Sequence, residues 1–219
     1  MSQLTKNKSK AKSSITESSN YHHGDLRQAL ITAARNLVLT QGPEQFSMAD
    51  ACKQAGVSKA APYRHFKNKN DLLFALTEQA FTEMRLHIQE VSAGLILGSD
   101  KRISEIGLGY IAYAMKQPAI FKLMSGNSIQ LNEEESLGRP TFQLLLDEII
   151  ARTNYRSIDK LMKLAFPLWT LVHGASMLII DNSYKKIYPD ANTELMIRET
   201  TKILMASHPE PTNTSPKTK

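Results

Sequence analysis

The stretch Ser47–Phe66, SMADACKQAGVSKAAPYRHF, constrains the fold more than any other part of the chain. It reads as two short helices joined by a tight turn. Ser47 is an N-cap residue whose hydroxyl accepts from an orphan amide of the first turn, and Asp50, three residues on, suits the positive helix end. The first helix runs to about Gln54. Gly56 follows it, free to take the positive φ that a helix end often demands. Val57 is the apolar plug beneath the turn. Ser58 is a second N-cap, launching a helix to about His65. Cys52, four residues before Gly56, is small enough to let the two helices approach closely. Helix, glycine turn and helix make a helix-turn-helix, whose second helix enters the DNA major groove N-terminus first.

The face expected to meet DNA follows from that reading. Lys59, Ala60, Ala61 and Pro62 form the first turn of the second helix. Pro62 is tolerated there because first-turn amides are mostly unpaired. Tyr63, Arg64 and His65 offer donors at the height of the phosphates. Asn68 caps the next helix with Asp71 at its N3 position, and Lys69 stands beside exposed amides that suit a phosphate. Arg27, near the start of the preceding helix, and Ser47 complete the candidate DNA-contacting set.

The string AGVSKAAPYRHFKNKNDLLFAL resembles the DNA-binding domain of the TetR family of bacterial transcriptional regulators. The resemblance reaches back to Tyr21-His22-His23-Gly24-Asp25-Leu26-Arg27 and covers roughly residues 21–75. It implies that Lys59, Ala60, Ala61 and Pro62 face bases and that Tyr63, His65 and Lys69 touch phosphates. Ala51 and Cys52 depart mildly from the family pattern, in which a larger aliphatic residue and an alanine are usual.

Charge supports the same assignment. The net charge is +6, and residues 1–75 hold 11 Lys/Arg against 5 Asp/Glu, while residues 76–219 hold 16 of each. The whole surplus lies on the segment that carries the helix-turn-helix, as nucleic-acid binding requires. Residues 1–20 place Lys6, Lys8, Lys10 and Lys12 among Ser, Thr and Asn, a composition too polar for a core. They form either a phosphate-tracking arm or a solvated tail. That segment lacks the apolar stretch of a signal peptide, and a single cysteine makes no internal disulfide, so a reducing cytoplasm is expected. Cys52 is expected to be a packed residue rather than a redox sensor.

The rest of the chain is read as all helix. Asp25–Thr40 carries an apolar stripe at Leu26, Ala29, Leu30, Ala33, Leu37 and Val38, and Gly42-Pro43 ends it. Leu72 to about Val91 is one long helix, with Leu72, Leu73, Leu76, Ala80, Met84 and Ile88 inward. A break at 92–100 precedes helices at Ile103–Lys116, Pro118–Met124 and Pro140–Arg152, and Ser125–Leu137 is a solvated loop with three consecutive glutamates. Ile158–Asp181 and Ala191–Ala206 follow, and His208–Lys219 is a Pro/Thr-rich tail.

Leu164–Ile180 is apolar except for Thr170, His173, Gly174 and Ser176. Seventeen residues interrupted by a proline and a histidine are short for a membrane span. A helix this apolar needs burial on most sides, by its own bundle and by a second copy. Gly174 and Ala175 allow close backbone approach. This helix and Leu195–Met205 are therefore the expected homodimer interface, a four-helix bundle across a two-fold axis. Two reading heads about 34–36 Å apart would read a palindrome.

Trp169-x-x-x-His173-Gly174 and AYAMKQPAIFKLMSG, residues 112–126, resemble the WHG-type ligand-binding domain found behind one branch of TetR heads, over roughly residues 103–182. The resemblance implies a small-molecule pocket ringed by Tyr110, Tyr113, Phe121, Met124, Trp169 and His173. Aromatic and methionine side chains at helical spacing equally fill an ordinary core, and both readings stand at this point. No catalytic residues are expected, since no nucleophile–base–orienter set, paired carboxylates or Gly-rich phosphate loop occurs. No metal site is expected at His22-His23, which lack further ligands at suitable spacing, and no cofactor is implied.

The sequence thus leads to an all-α chain in four parts: a basic arm at 1–20, a helix-turn-helix domain at 21–75, a helical effector-binding and dimerisation domain at 76–207, and a tail at 208–219. The expected function is a cytoplasmic DNA-binding regulator, a homodimeric repressor released from a palindromic operator by a small-molecule effector. A ligand-independent regulator, an activator or a non-specific DNA-packaging protein are the alternatives.

Overall fold

The computed structural model describes residues 23–126 and 136–208, with side chains from residue 26 onward. The Lys-rich arm, the side chains of His22 and His23, the three glutamates at 133–135 and the tail beyond His208 lie outside the described residues. The elements are α1 (His23–Gln41), α2 (Met48–Ala55), a 3-10 turn (Ala61–Arg64), α3 (Lys69–Val91), α4 (Asp100–Lys116), α5 (Pro118–Ser125), α6 (Arg139–Thr153), α7 (Ile158–Ile180), the single-turn α8 (Tyr184–Ile187) and α9 (Thr193–Met205). No strand occurs among the described residues.

The caps form as the sequence dictates. Ser47 Oγ accepts from the Asp50 amide at 3.2 Å while Asp50 Oδ2 accepts from the Ser47 amide at 2.8 Å, a closed capping box. These bonds from Ser47 hold the Asp50 carboxyl below its ordinary range. Gly56 ends α2 at φ +69°, and Val57 packs beneath the turn. Asn68 Oδ1 accepts from the Asp71 amide at 2.9 Å and starts α3. Ser99 caps α4 in the same way.

The second helix of the motif differs from expectation. The chain makes only a four-residue 3-10 turn, and Ser58 caps nothing through its side chain; its carbonyl accepts from the Ala61 amide. Pro62 explains this. It lacks the amide that would bond to Ser58, its ring crowds that carbonyl, and it biases Ala61 away from the α region. The Pro62 carbonyl then accepts from the His65 and Phe66 amides at 2.8 and 2.9 Å, which closes the turn. A single-turn helix, α8, lies in the stretch that the sequence left unassigned.

Leu30, Ile31, Ala34 and Val38 of α1, Ala51 of α2, Phe66, and Leu72, Leu76 and Ala80 of α3 form the core of the reading head. Ala51 and Cys52 are both buried, so the small residues at these positions are accommodated by packing. Ile120 and Leu123 of α5 belong to the same core, so residues beyond 75 complete the head.

Behind the head, α4 is the central helix. It packs on α3, α7 and α9. Two glycines permit this: a Cβ at Gly107 would meet Val172 at 2.9 Å, and one at Gly109 would meet Val91 at 2.8 Å. The buried Glu148 carboxylate on α6 accepts from the Gly98 amide and from Arg102 Nε, each at 2.7 Å. These contacts tie α6 to α4 and to the loop before it, and so fix one wall of the space described below. The helix α7 runs 23 residues, longer than its apolar stretch alone. By length and composition it could cross a bilayer, yet Leu161, Ala165, Leu168, Val172, Ala175 and Ser176 are buried against the other helices.

Candidate functional site

Lys59, Ala60, Tyr63 and Arg64 are exposed on the 3-10 turn and its approach, with Tyr63 61% accessible. They form one outward line with two cations and one phenol. Ala61 and Pro62, expected to face bases, are less exposed than their neighbours on the turn. Pro62 is buried and Ala61 is half-buried against the head core, because a turn this short must use one side to pack. His65 is half-buried beside Phe66, with ring centroids 6.4 Å apart. Lys69 folds back: its Nζ donates to the Glu44 carbonyl at 3.1 Å and lies 4.7 Å from the centre of the Phe46 ring. The Arg27 guanidinium sits 5.6 Å from the centre of the Phe66 ring, at the edge of the same face. The Ser47 hydroxyl, exposed, is engaged with Asp50 at 2.6 Å. Lys67 is a further exposed cation that the sequence reading did not single out.

A cavity of about 530 Å³ lies between α3, α4, α5, α6, α7 and α9, within the size range of small-molecule sites. Tyr110, Phe121, Met124, Trp169 and His173 line it. The His173 ring stacks on Trp169 at 5.4 Å and 27° and lies 5.7 Å from Phe121. Tyr110 meets Phe121 edge-on at 5.5 Å. These contacts make an aromatic wall rather than four separate rings.

The wall carries a polar pair. The Tyr110 hydroxyl and His173 Nδ1 are 2.9 Å apart. One of the two groups donates to the other, in the direction that the histidine tautomer sets. Burial pushes the His173 pKa below its ordinary value of 6.5, so the ring is neutral near pH 7. Burial likewise pushes the Tyr110 hydroxyl upward and keeps it protonated.

Tyr113 does not line this space. Its hydroxyl is directed toward α3, where it donates to Glu83 Oε2 at 3.3 Å. Burial, and then the Glu83 charge, raise its pKa. Tyr110 and Tyr113 lie three positions apart, but the α4 surface there is divided between two neighbours. The cavity also uses residues the sequence did not bring forward: Phe81 of α3, Arg139, Thr141 and Phe142 of α6, and Met162 and Phe166 of α7. Their periodicity marks them only as helix faces, and nothing local shows that three faces stop short of one another.

Known proteins place the two halves separately. Residues 30–76 match the model for bacterial regulatory proteins of the tetR family, and residues 103–201 match that for the tetracyclin repressor-like C-terminal domain. The chain belongs to the TetR family. It is therefore a helix-turn-helix DNA-binding regulator of that family by both its head and its C-terminal domain. A protein from Rhodococcus sp. RHA1 shares this TetR-type fold at a TM-score of 0.69 and 22% identity, covering 87% of this chain and 98% of that one. A tetR-family transcriptional regulator from Streptomyces coelicolor does so at 0.64 and 18%, over 84% and 82%. Among curated proteins, the nucleoid occlusion factor SlmA of Sodalis glossinidius is 28% identical over 129 residues, and that of Yersinia enterocolitica 26%. The matched stretch is 57% of this chain and 63% of those relatives.

Proposed function

We propose that this TetR-family chain is a cytoplasmic homodimeric repressor that occludes a palindromic operator and lets go when a small molecule fills the cavity. One observation carries the release step. The helix α5 contributes Ile120 and Leu123 to the core of the reading head, and Phe121 to the cavity wall, with Met124 touching both. Eight residues thus have one face in each compartment. A ligand that binds more tightly when α5 is displaced shifts the head with it, by as much as its differential affinity for the two states. The domain at 21–75 supplies the DNA face, through Lys59, Ala60, Tyr63 and Arg64, and 76–207 the cavity and the interface.

The homodimer rests on an unpartnered face. Phe166, Thr170, Gly174 and Leu178 follow one another at intervals of four along α7, and Phe166 and Leu178 are 52% and 48% exposed. Nothing lies within 4 Å of a Cβ placed on Gly174. On α9, Leu195 and Ile203 are 55% and 73% exposed. Two such helices from each copy can bury one another as a four-helix bundle.

Selection from a random-sequence DNA pool, with the winner titrated at several salt concentrations, tests the reading. A palindrome bound at least about a thousandfold tighter than bulk DNA is expected. Affinity that merely collapses with salt, whatever the sequence, would indicate non-specific packaging instead. The name of the curated relatives favours a second reading, in which the chain acts on the nucleoid at many sites. Recovery of bound fragments across the chromosome separates the two: a few promoter-proximal palindromes, or many scattered ones.

A further inference from the structure

The cavity has a chemical bias of its own. Arg139, exposed at the rim, is the one formal charge among its described lining residues, and no Asp, Glu or Lys lines it. The guanidinium of Arg139 makes no ion pair among the described residues. Arg139 is also the first residue of α6, whose N-terminus has no side-chain cap and directs its positive dipole end to the same rim. Thr141, two residues on and on the cavity wall, is buried, and its hydroxyl has no hydrogen-bond partner among the described residues. A buried hydroxyl left unpaired is costly, so an arriving acceptor is rewarded there. Deeper in the cavity Tyr110 and His173 are paired with each other, the hydroxyl lying 2.9 Å from Nδ1. Among the described lining residues Arg139 thus supplies the formal charge, and the body of the cavity is mostly aromatic or aliphatic.

We infer that the occupant is an anionic amphipath: an acyl or aryl body lying across Phe121, Phe142 and Trp169, with a carboxylate-like head held at the α6 N-terminus by Arg139 and Thr141. The inference rests on the effector reading above, and it names the charge and chemical class of that effector. A cationic amphipath of the same length meets the like charge of Arg139 there.

Trp169 is the single tryptophan of the chain and part of the wall, so its emission reports occupancy directly. The full-length dimer is titrated with sodium decanoate, 1-decanol and decyltrimethylammonium bromide below micelle-forming concentrations. Decanoate should perturb Trp169 emission saturably and bind about tenfold tighter than the cation, the yield of one charge-assisted contact. Arg139→Gln, an exposed change with little effect on folding, should weaken decanoate about tenfold and leave decanol within about twofold. Thr141→Val should act in the same direction. The inference is overturned if the cation binds as tightly as decanoate, if both variants leave decanoate binding unchanged, or if no probe alters the emission. A parallel operator-binding assay separates the two proposals. Decanoate that occupies the cavity but releases no DNA would refute effector release and leave the ligand class standing. DNA release driven better by the cation would do the reverse.

Discussion

Gly56 holds φ at +69°, where an L side chain is strained, and a Cβ there would touch nothing within 4 Å. The cost of adding one is therefore purely conformational. Gly56→Ala is expected to lose about 1–2 kcal/mol of stability. Urea denaturation should show a lower midpoint with an unchanged slope, since the native surface stays the same. This residue was legible in the sequence, as were Ser47, Asp50, Asn68 and Asp71, because each acts on backbone no more than four positions away. Pro62 was not. Its identity signals a tolerated first-turn proline, whereas its effect depends on whether the chain before it has already become helical. The same limit applies at Lys69: its place at a helix start suggests a free cation, and only the folded loop supplies the Glu44 carbonyl and Phe46 ring that it engages.

At the scale of the element, the long helices were legible to within a few residues, because apolar spacing states both period and extent. The helix α7 shows where such reading ends. An element apolar on every side has no stripe, so the sequence indicates a need for burial without saying which face meets which neighbour. Gly174 and Ala175 were expected together at an interface, yet Ala175 is buried within the chain and Gly174 faces away from it. The outward line through Phe166, Thr170, Gly174 and Leu178 is thus the face left for a second copy. Leu178→Lys combined with Ile203→Glu places charges on both helices of the proposed interface, at positions 48% and 73% exposed in the single chain. Sedimentation should show the double variant as a folded monomer, with helix content retained. Its operator affinity should fall by about a hundredfold or more, since one head alone keeps only half of the contacts. A variant that still sediments as a dimer would move the interface elsewhere.

The whole molecule works only if the head and the cavity share parts, and two shared parts are visible. One is α5, with a face in each compartment. The other is polar and stands beside it. Arg35 on α1 donates to Glu83 on α3 at 2.6 Å and to Gln117, at the end of α4, at 2.8 Å. Glu83 also accepts from Gln79 at 3.0 Å and from Tyr113 at 3.3 Å. The residues paired with Arg35 stand 48 and 82 positions away, so no local pattern could announce the cluster, and Tyr113 was assigned to the cavity instead. Its placement joins the first helix of the head to the central helix of the cavity domain through one half-exposed carboxylate. Such a cluster holds α1 against α4 in one arrangement, and a change in that arrangement must break it. Removing the charge at its centre should therefore lower the resistance to displacement without touching either binding site. Glu83→Gln is expected to bind decanoate with an unchanged constant by Trp169 emission. Its operator complex should dissociate at a decanoate concentration lower by about threefold to tenfold, the range of a mutation that alters coupling alone. An operator complex that weakens equally with and without decanoate would instead make Arg35, Glu83, Tyr113 and Gln117 a brace for the head, leaving α5 as the sole link between ligand and DNA.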